Sequence, residues 1–117
     1  MKKFNLIIFL ISLISFSQHR DNPISLNGEW EIIYDTINNG REKQAHTKQG
    51  FDKLNSEKIL VPSGWEEYKK DFEGVVYYKK TFRAPKEFKD KVINLNFDAV
   101  NYLSEVYLND NALGYHE

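Results

Sequence analysis

Hydrophobic and polar residues alternate along much of this chain, and the alternation predicts strands. From Asn27 to Asp35, Trp30, Ile32 and Tyr34 fall on one face, with Glu29, Glu31 and Ile33 on the other. Glu57 to Val61 reads as a short strand stopped by Pro62, which has no N–H to give a ladder. Gly74 to Arg83 gives the clearest pattern. Val76, Tyr78, Lys80 and Phe82 share one side, Val75, Tyr77, Lys79 and Thr81 the other, and Ala84-Pro85 ends the run. In the last stretch Ile93, Leu95 and Phe97 alternate with Asn94, Asn96 and Asp98. A second run follows from Leu103 to Asn109, and Ala112 to Tyr115 starts a return strand. Asn109-Asp110-Asn111 tolerates left-handed backbone angles, so a hairpin turn is expected there.

Between these runs the pattern lapses. Asn38-Asn39-Gly40 is a turn signal, and Arg41 to Asn55 has no clean period and reads as a long surface loop with room for a helical turn. Ser63 to Glu73 is a loop rich in charge and aromatics, and Lys86 to Lys91 is a charged connection. About six strands and no long helix predict an all-β antiparallel β-sandwich.

Composition narrows the function. Aromatic residues make up 15% of the 117 residues, which suits strands filled by Tyr, Phe and Trp. A formal charge of −1 leaves no basic footprint for nucleic acid. With three histidines and no cysteine there is no zinc-ligand pattern, and Asn109–Asn111 lacks the further acidic ligands and glycine of a calcium loop. No metal or other cofactor is expected.

The beginning of the chain has its own chemistry. Lys2 and Lys3 precede an apolar run from Leu6 to Phe16, too short for a spanning helix of roughly 20 residues. This predicts a secretory signal peptide over residues 1–17, cleaved to leave Gln18 first, a flexible lead-in over 18–23 and one domain over 24–117. The product would be exported, periplasmic or extracellular, with no membrane contact after cleavage. An uncleaved anchor is the alternative. A lipoprotein anchor lacks its cysteine.

Three stretches together carry a resemblance. They are Leu26-Asn27-Gly28-Glu29-Trp30; Val61-Pro62-Ser63-Gly64-Trp65 with Gly74 to Phe82; and Phe97-Asp98-Ala99-Val100-Asn101 running on through Glu105-Val106-Tyr107-Leu108-Asn109 to Leu113-Gly114-Tyr115-His116-Glu117. Their order and spacing resemble the N-terminal sugar-binding domain of glycoside hydrolase family 2, which includes β-galactosidases, β-glucuronidases and β-mannosidases. The resemblance covers residues 24–117 and implies a galactose-binding-like jelly roll. A complete jelly roll has eight strands, so this one is expected to be incomplete at the C-terminus. It also implies a partner, the catalytic barrel of the parent enzyme, whose two glutamates cleave a terminal β-linked sugar with retention. No catalytic residue is expected in this chain.

The remaining candidates would shape the substrate rim. Trp65 and Tyr68 follow Pro62 and can stack on a sugar ring, although Trp65 can equally fold back over the core. Glu66 and His116 can hydrogen-bond a sugar hydroxyl or a barrel loop, and Tyr115 lies beside His116. The segments Ser63 to Tyr68 and Tyr115 to Glu117 are expected to converge at one end of the sandwich. Some β-galactosidases place a sugar-contacting asparagine where this chain has Gly64, so that contact is missing. Glu66, Glu67, Asp71, Glu73 and Glu117 are expected as solvated surface, and His46 has no evident role. Two other readings remain. A stand-alone carbohydrate-binding module would use Tyr68, Tyr102 and Tyr115. A lipocalin-like carrier would share the Gly28-Glu29-Trp30 opening, but the two long loops suit it poorly.

Overall fold

The computed structural model describes residues 23–100 and 102–117. The expected signal peptide and nearly all of the lead-in lie outside the described residues. The chain is all-β with antiparallel sheets. The described residues fall into two units, one with residues 23–25 and 83–95, the other with residues 26–82 and 96–117.

The second unit holds all five strands found among the described residues: β1 (Gly28–Tyr34), β2 (Glu57–Val61), β3 (Val76–Lys79), β4 (Ser104–Leu108) and β5 (Asn111–His116). β1 is the centre of a three-stranded sheet in the order β2-β1-β3, and β4 and β5 form a separate hairpin. The register sets the faces. Trp30 faces Ile59, and Ile32 faces Glu57 on one side and Tyr78 on the other. Cross-strand partners share a face, so Trp30, Ile32, Tyr34, Ile59, Val61, Val76 and Tyr78 lie together. Ile32 and Ile59 are each 1% exposed. With Tyr34 they form a cluster against which Trp30, Val61, Trp65, Phe72 and Val76 pack.

The opposite face is covered too, which corrects the expectation of a surface loop at Arg41 to Asn55. Ile33, Ala45 and Phe51 are all buried. The segment is held at its start by Asp35, whose carboxylate accepts from the backbone N–H of Asn39 at 3.0 Å and of Gly40 at 2.9 Å. Asn38 takes a positive φ of 52°, as the turn signal required. The chain then coils into α1 (Lys48–Asp52), whose N-cap Thr47 accepts from Gly50 N–H at 3.0 Å. The backbone comes so close that a Cβ on Gly40 would lie 2.4 Å from the Tyr77 ring, and one on Gly50 2.0 Å from the Gln44 carbonyl oxygen. Tyr77 and Tyr78 therefore occupy opposite faces, Tyr77 half-buried under this segment and Tyr78 partly exposed on the other.

Lys79 fastens α1 to the sheet. Its ammonium lies 4.6 Å above the Phe51 ring, 2.6 Å from an Asp52 oxygen and 3.0 Å from a Glu31 oxygen. Asp52 also meets Lys48 at 2.5 Å, one helical turn away. The hydrogen bonds from Lys48 and Lys79 hold the Asp52 carboxyl at about 2, against an ordinary 3.8.

Two expected strands differ. β3 is only Val76–Lys79 rather than Gly74 to Arg83, and just past its end Lys80 Nζ donates to the Glu29 carbonyl at 2.8 Å, a side chain where a ladder bond would continue. No strand forms over residues 92–98. Val92, Ile93, Leu95 and Phe97 are exposed. Alternation prepares a segment for a sheet, but a strand exists only beside another, and no described strand pairs with this one. In the first unit the charged connection makes the expected single turn of helix, a 3-10 turn at Lys86–Phe88. The hairpin turn is as expected. Asn109 and Asp110 have φ of 48° and 67°, the positive pair that a two-residue type I′ turn needs.

Two predictions follow from this packing. Alanine is the better helix former by about 1 kcal/mol, yet Gly50→Ala should destabilise by about 1–3 kcal/mol, because the methyl group meets a backbone carbonyl that has no room to yield. A raised urea midpoint in this variant would contradict the packing. Asp52 gives a pH signature. Its folded-state value is depressed, so its contribution is complete above about pH 4 and disappears as pH falls towards about 2. Asp52→Asn should therefore be less stable than the unmodified chain at about pH 6, with the difference closing by about pH 2. Equal urea midpoints at both pH values would show that the clamp contributes nothing.

Candidate functional site

The loop after β2 is built against the core. Ser63 Oγ donates to the Leu60 carbonyl, and a 3-10 turn at Trp65–Glu67 reverses the chain. Trp65 is half-buried, packs on the Ile32–Tyr34–Ile59 cluster and donates through Nε1 to the Phe72 carbonyl at 3.4 Å. Its ring is therefore part of the core wall. The Tyr68 hydroxyl accepts from Leu60 N–H at 3.2 Å. β2 is an edge strand, so Tyr68 and Ser63 occupy the two backbone groups that Leu60 would otherwise present along the free edge.

An aromatic set continues from Trp65. Tyr34 and Phe72 meet edge to face at 5.2 Å, Trp30 and Tyr78 at 6.4 Å, and Lys69 Nζ stands 4.6 Å over the Tyr34 ring. The Tyr34 hydroxyl is buried without a hydrogen-bond partner. Burial, then the nearby Glu57, Tyr68 and Glu66, push its pKa up. Burial, with Tyr34 and Glu66 nearby, does the same to Tyr78. Both phenols stay protonated at neutral pH, and Glu66 is an exposed carboxylate within electrostatic reach of both.

Tyr115 and His116 sit elsewhere. Both are exposed on β5, opposite Glu105 and Ser104 of β4. The hairpin is tied to the segment covering the Tyr77 face. Arg41 meets Glu105 at 2.5 Å, the Tyr107 hydroxyl donates to Glu105 at 2.9 Å, and the His46 ring lies 4.8 Å from that of Tyr107. The Lys48 N–H donates to Asp110 at 2.7 Å. The structure thus brings Trp65, Glu66 and Tyr68 together on one side of the sheet and leaves Tyr115 and His116 with the cover of the other side. Among the described residues no hydrogen bond, ion pair or ring contact joins the two groups. His46, for which the sequence shows no role, lies with its ring tilted against that of Tyr107.

The carboxylates brought together are also unlike an acid–base pair. Glu31 and Asp52 share the Lys79 ammonium, and hydrogen bonding to lysine lowers the pKa of both, most strongly for Asp52. A general acid needs its pKa raised. Glu105 is likewise lowered, by Arg41 first and then Tyr107. A shallow depression of about 460 Å³ is lined by Lys48, Gln49, Asp52, Lys53 and Asp110, and a smaller one of about 180 Å³ runs from Ile33 past Lys43 to Asn55. Neither is lined by any of the five expected rim residues. Sequence reading missed the roles of Lys79, Arg41 and Glu105, because isolated charged residues carry no period or motif.

No known protein-family profile matches the chain, and no solved structure does. Two curated proteins are similar. One is named "Putative beta-glucuronidase", from Formosa agariphila, 27% identical over 93% of this chain and 11% of that protein. The other is named "Beta-galactosidase", from Thermoanaerobacter pseudethanolicus, 24% identical over 80% of this chain and 13% of that protein. The chain spans little more than a tenth of the length of these curated relatives, and over that part it is related to proteins named as glycosidases.

Proposed function

We propose that the chain is a non-catalytic sugar-binding module, of jelly-roll type, from an exported family 2 glycoside hydrolase acting on terminal β-linked sugars. The observation that carries this reading is the similarity itself. It runs through most of this chain and falls within a small share of two proteins named as a β-glucuronidase and a β-galactosidase. An all-β chain of antiparallel sheets agrees with a sandwich module. The carboxylate chemistry agrees as well, since the shared-lysine pair is held ionised and has no proton to give at neutral pH. Within a parent enzyme, the barrel supplies the acid and the nucleophile, and this module supports the barrel and forms part of the approach to it.

Chromogenic β-galactoside and β-glucuronide should therefore remain intact with the purified chain. Reproducible turnover that disappears in Glu31→Gln would place catalysis here and overturn the reading. Export rests on the Lys2-Lys3 and Leu6-to-Phe16 pattern. N-terminal sequencing of protein recovered outside the cytoplasm should begin near Gln18, and a retained Met1 would contradict cleavage.

A further inference from the structure

The hairpin surface that meets Arg41 has a chemistry that tying down two strands does not require. Glu105 and Tyr115 are cross-strand partners and so share a face of the hairpin. Tyr107 is on that face as well, since its hydroxyl donates to Glu105. Arg41 reaches it from the other side, with its side chain still 77% exposed after pairing with Glu105. One guanidinium nitrogen makes the Glu105 contact, and the planar fork carries further N–H donors. Tyr115 is 76% exposed. A flat ring therefore stands in solvent on the same face as a paired donor and acceptor, and the His46 ring lies tilted at 4.8 Å against that of Tyr107 beside Glu105.

We propose that Arg41, Glu105 and Tyr115 form a saccharide subsite that takes a pyranoside with two adjacent free hydroxyls. The Tyr115 ring would receive the apolar face of the sugar. One hydroxyl would accept from Arg41 and its neighbour would donate to Glu105, so that the donor–acceptor pair on the protein meets the complementary pair on a vicinal diol. Hydrogen bonds to charged groups are the stronger class, and the pair is already formed, so little ordering accompanies binding. The Tyr107 hydroxyl fixes the carboxylate from the side and leaves its orientation set. This inference rests on the reading of the chain as a sugar-binding module and gives it a location different from the Trp65–Tyr68 loop, whose ring and hydroxyl are occupied by core packing and by the β2 edge.

The test is titration of the full mature chain with methyl β-D-galactopyranoside, followed by NMR chemical shifts and calorimetry. Shifts should concentrate on Arg41, Glu105, Tyr107 and Tyr115. Tyr115→Ala should weaken binding by about tenfold or more with an unchanged melting temperature, since the side chain is exposed. Arg41→Lys keeps the charge opposite Glu105 but loses the planar fork, and should also weaken binding about tenfold while leaving the hairpin docked. If Arg41→Lys also lowers the melting temperature, Tyr115→Ala alone decides. Binding that is unaffected by either variant would overturn the subsite and leave the sugar-binding reading intact. Absence of binding by the unmodified chain would overturn the subsite outright, while the kinship with glycosidases, which rests on sequence similarity, would stand apart from that result.

Discussion

Ile32 and Ile33 are neighbours in the chain and both are buried, at 1% and 6% exposure. Successive residues of a strand point to opposite faces, so β1 must be covered on both sides, and most of the second unit is arranged to do it. The segment from Gly40 through α1 lies over the Ile33 side, and the loop from Pro62 to Phe72 lies over the Ile32 side. Among the described residues no second large sheet buries either face of this three-stranded sheet, so irregular chain supplies the cover. That explains why the cover is specified by single close contacts, such as Gly40 against Tyr77 and Gly50 against the Gln44 carbonyl. Cover made by loops has no ladder to fix its register, and it depends instead on such contacts and on the Lys79 clamp.

The hairpin follows a different rule. No residue of β5 is buried, and the described ties to the rest of the unit are polar: Arg41 with Glu105, the His46 and Tyr107 rings, and Lys48 N–H with Asp110. Exposed ion pairs contribute little, far less than a buried isoleucine, so the hairpin is held more loosely than β2 or β3. The free edge of β2 is handled with side chains, through Tyr68 and Ser63. Strand edges with unpaired N–H and C=O groups are prone to further pairing, and the uncharged β5 sequence offers no repulsion against it.

The legible parts of the sequence were those governed by local rules. Period two located β1 and β4, and β5 followed from the turn before it. Proline placed the end of β2, and Asn109-Asp110 placed the turn with its positive φ angles. The failures share one cause, which is that pairing is not local. Ile93, Leu95 and Phe97 alternate as well as the residues of β1 do, but no strand among the described residues pairs beside them. The segment after Gly40 lacks a period because it is buried through one turn of helix and a few tight approaches rather than along a regular face. The candidate site was legible only in part. The aromatic character of Trp65 and Tyr68 was plain, but whether a ring faces sugar or core is decided by what lies across from it. Here the core claims Trp65, and the edge of β2 claims the Tyr68 hydroxyl.

Charge placement separates the two sides of the sheet in a way that bears on function. On the Ile32 side, the phenols of buried Tyr34 and partly exposed Tyr78 are held protonated, and among the groups acting on them Glu66 is the exposed carboxylate within reach of both. On the Ile33 side, Glu31, Asp52 and Glu105 are each matched to Lys79, Lys48 or Arg41 and kept ionised. Ionised carboxylates with fixed cations cannot exchange protons near neutral pH, but they can accept hydrogen bonds while the cation donates them. That arrangement suits hydrogen bonding to hydroxyl groups and supplies no general acid. On the proposed reading, such a surface would hold a sugar through hydrogen bonds while lacking the protonated carboxylic acid that glycosidic cleavage requires.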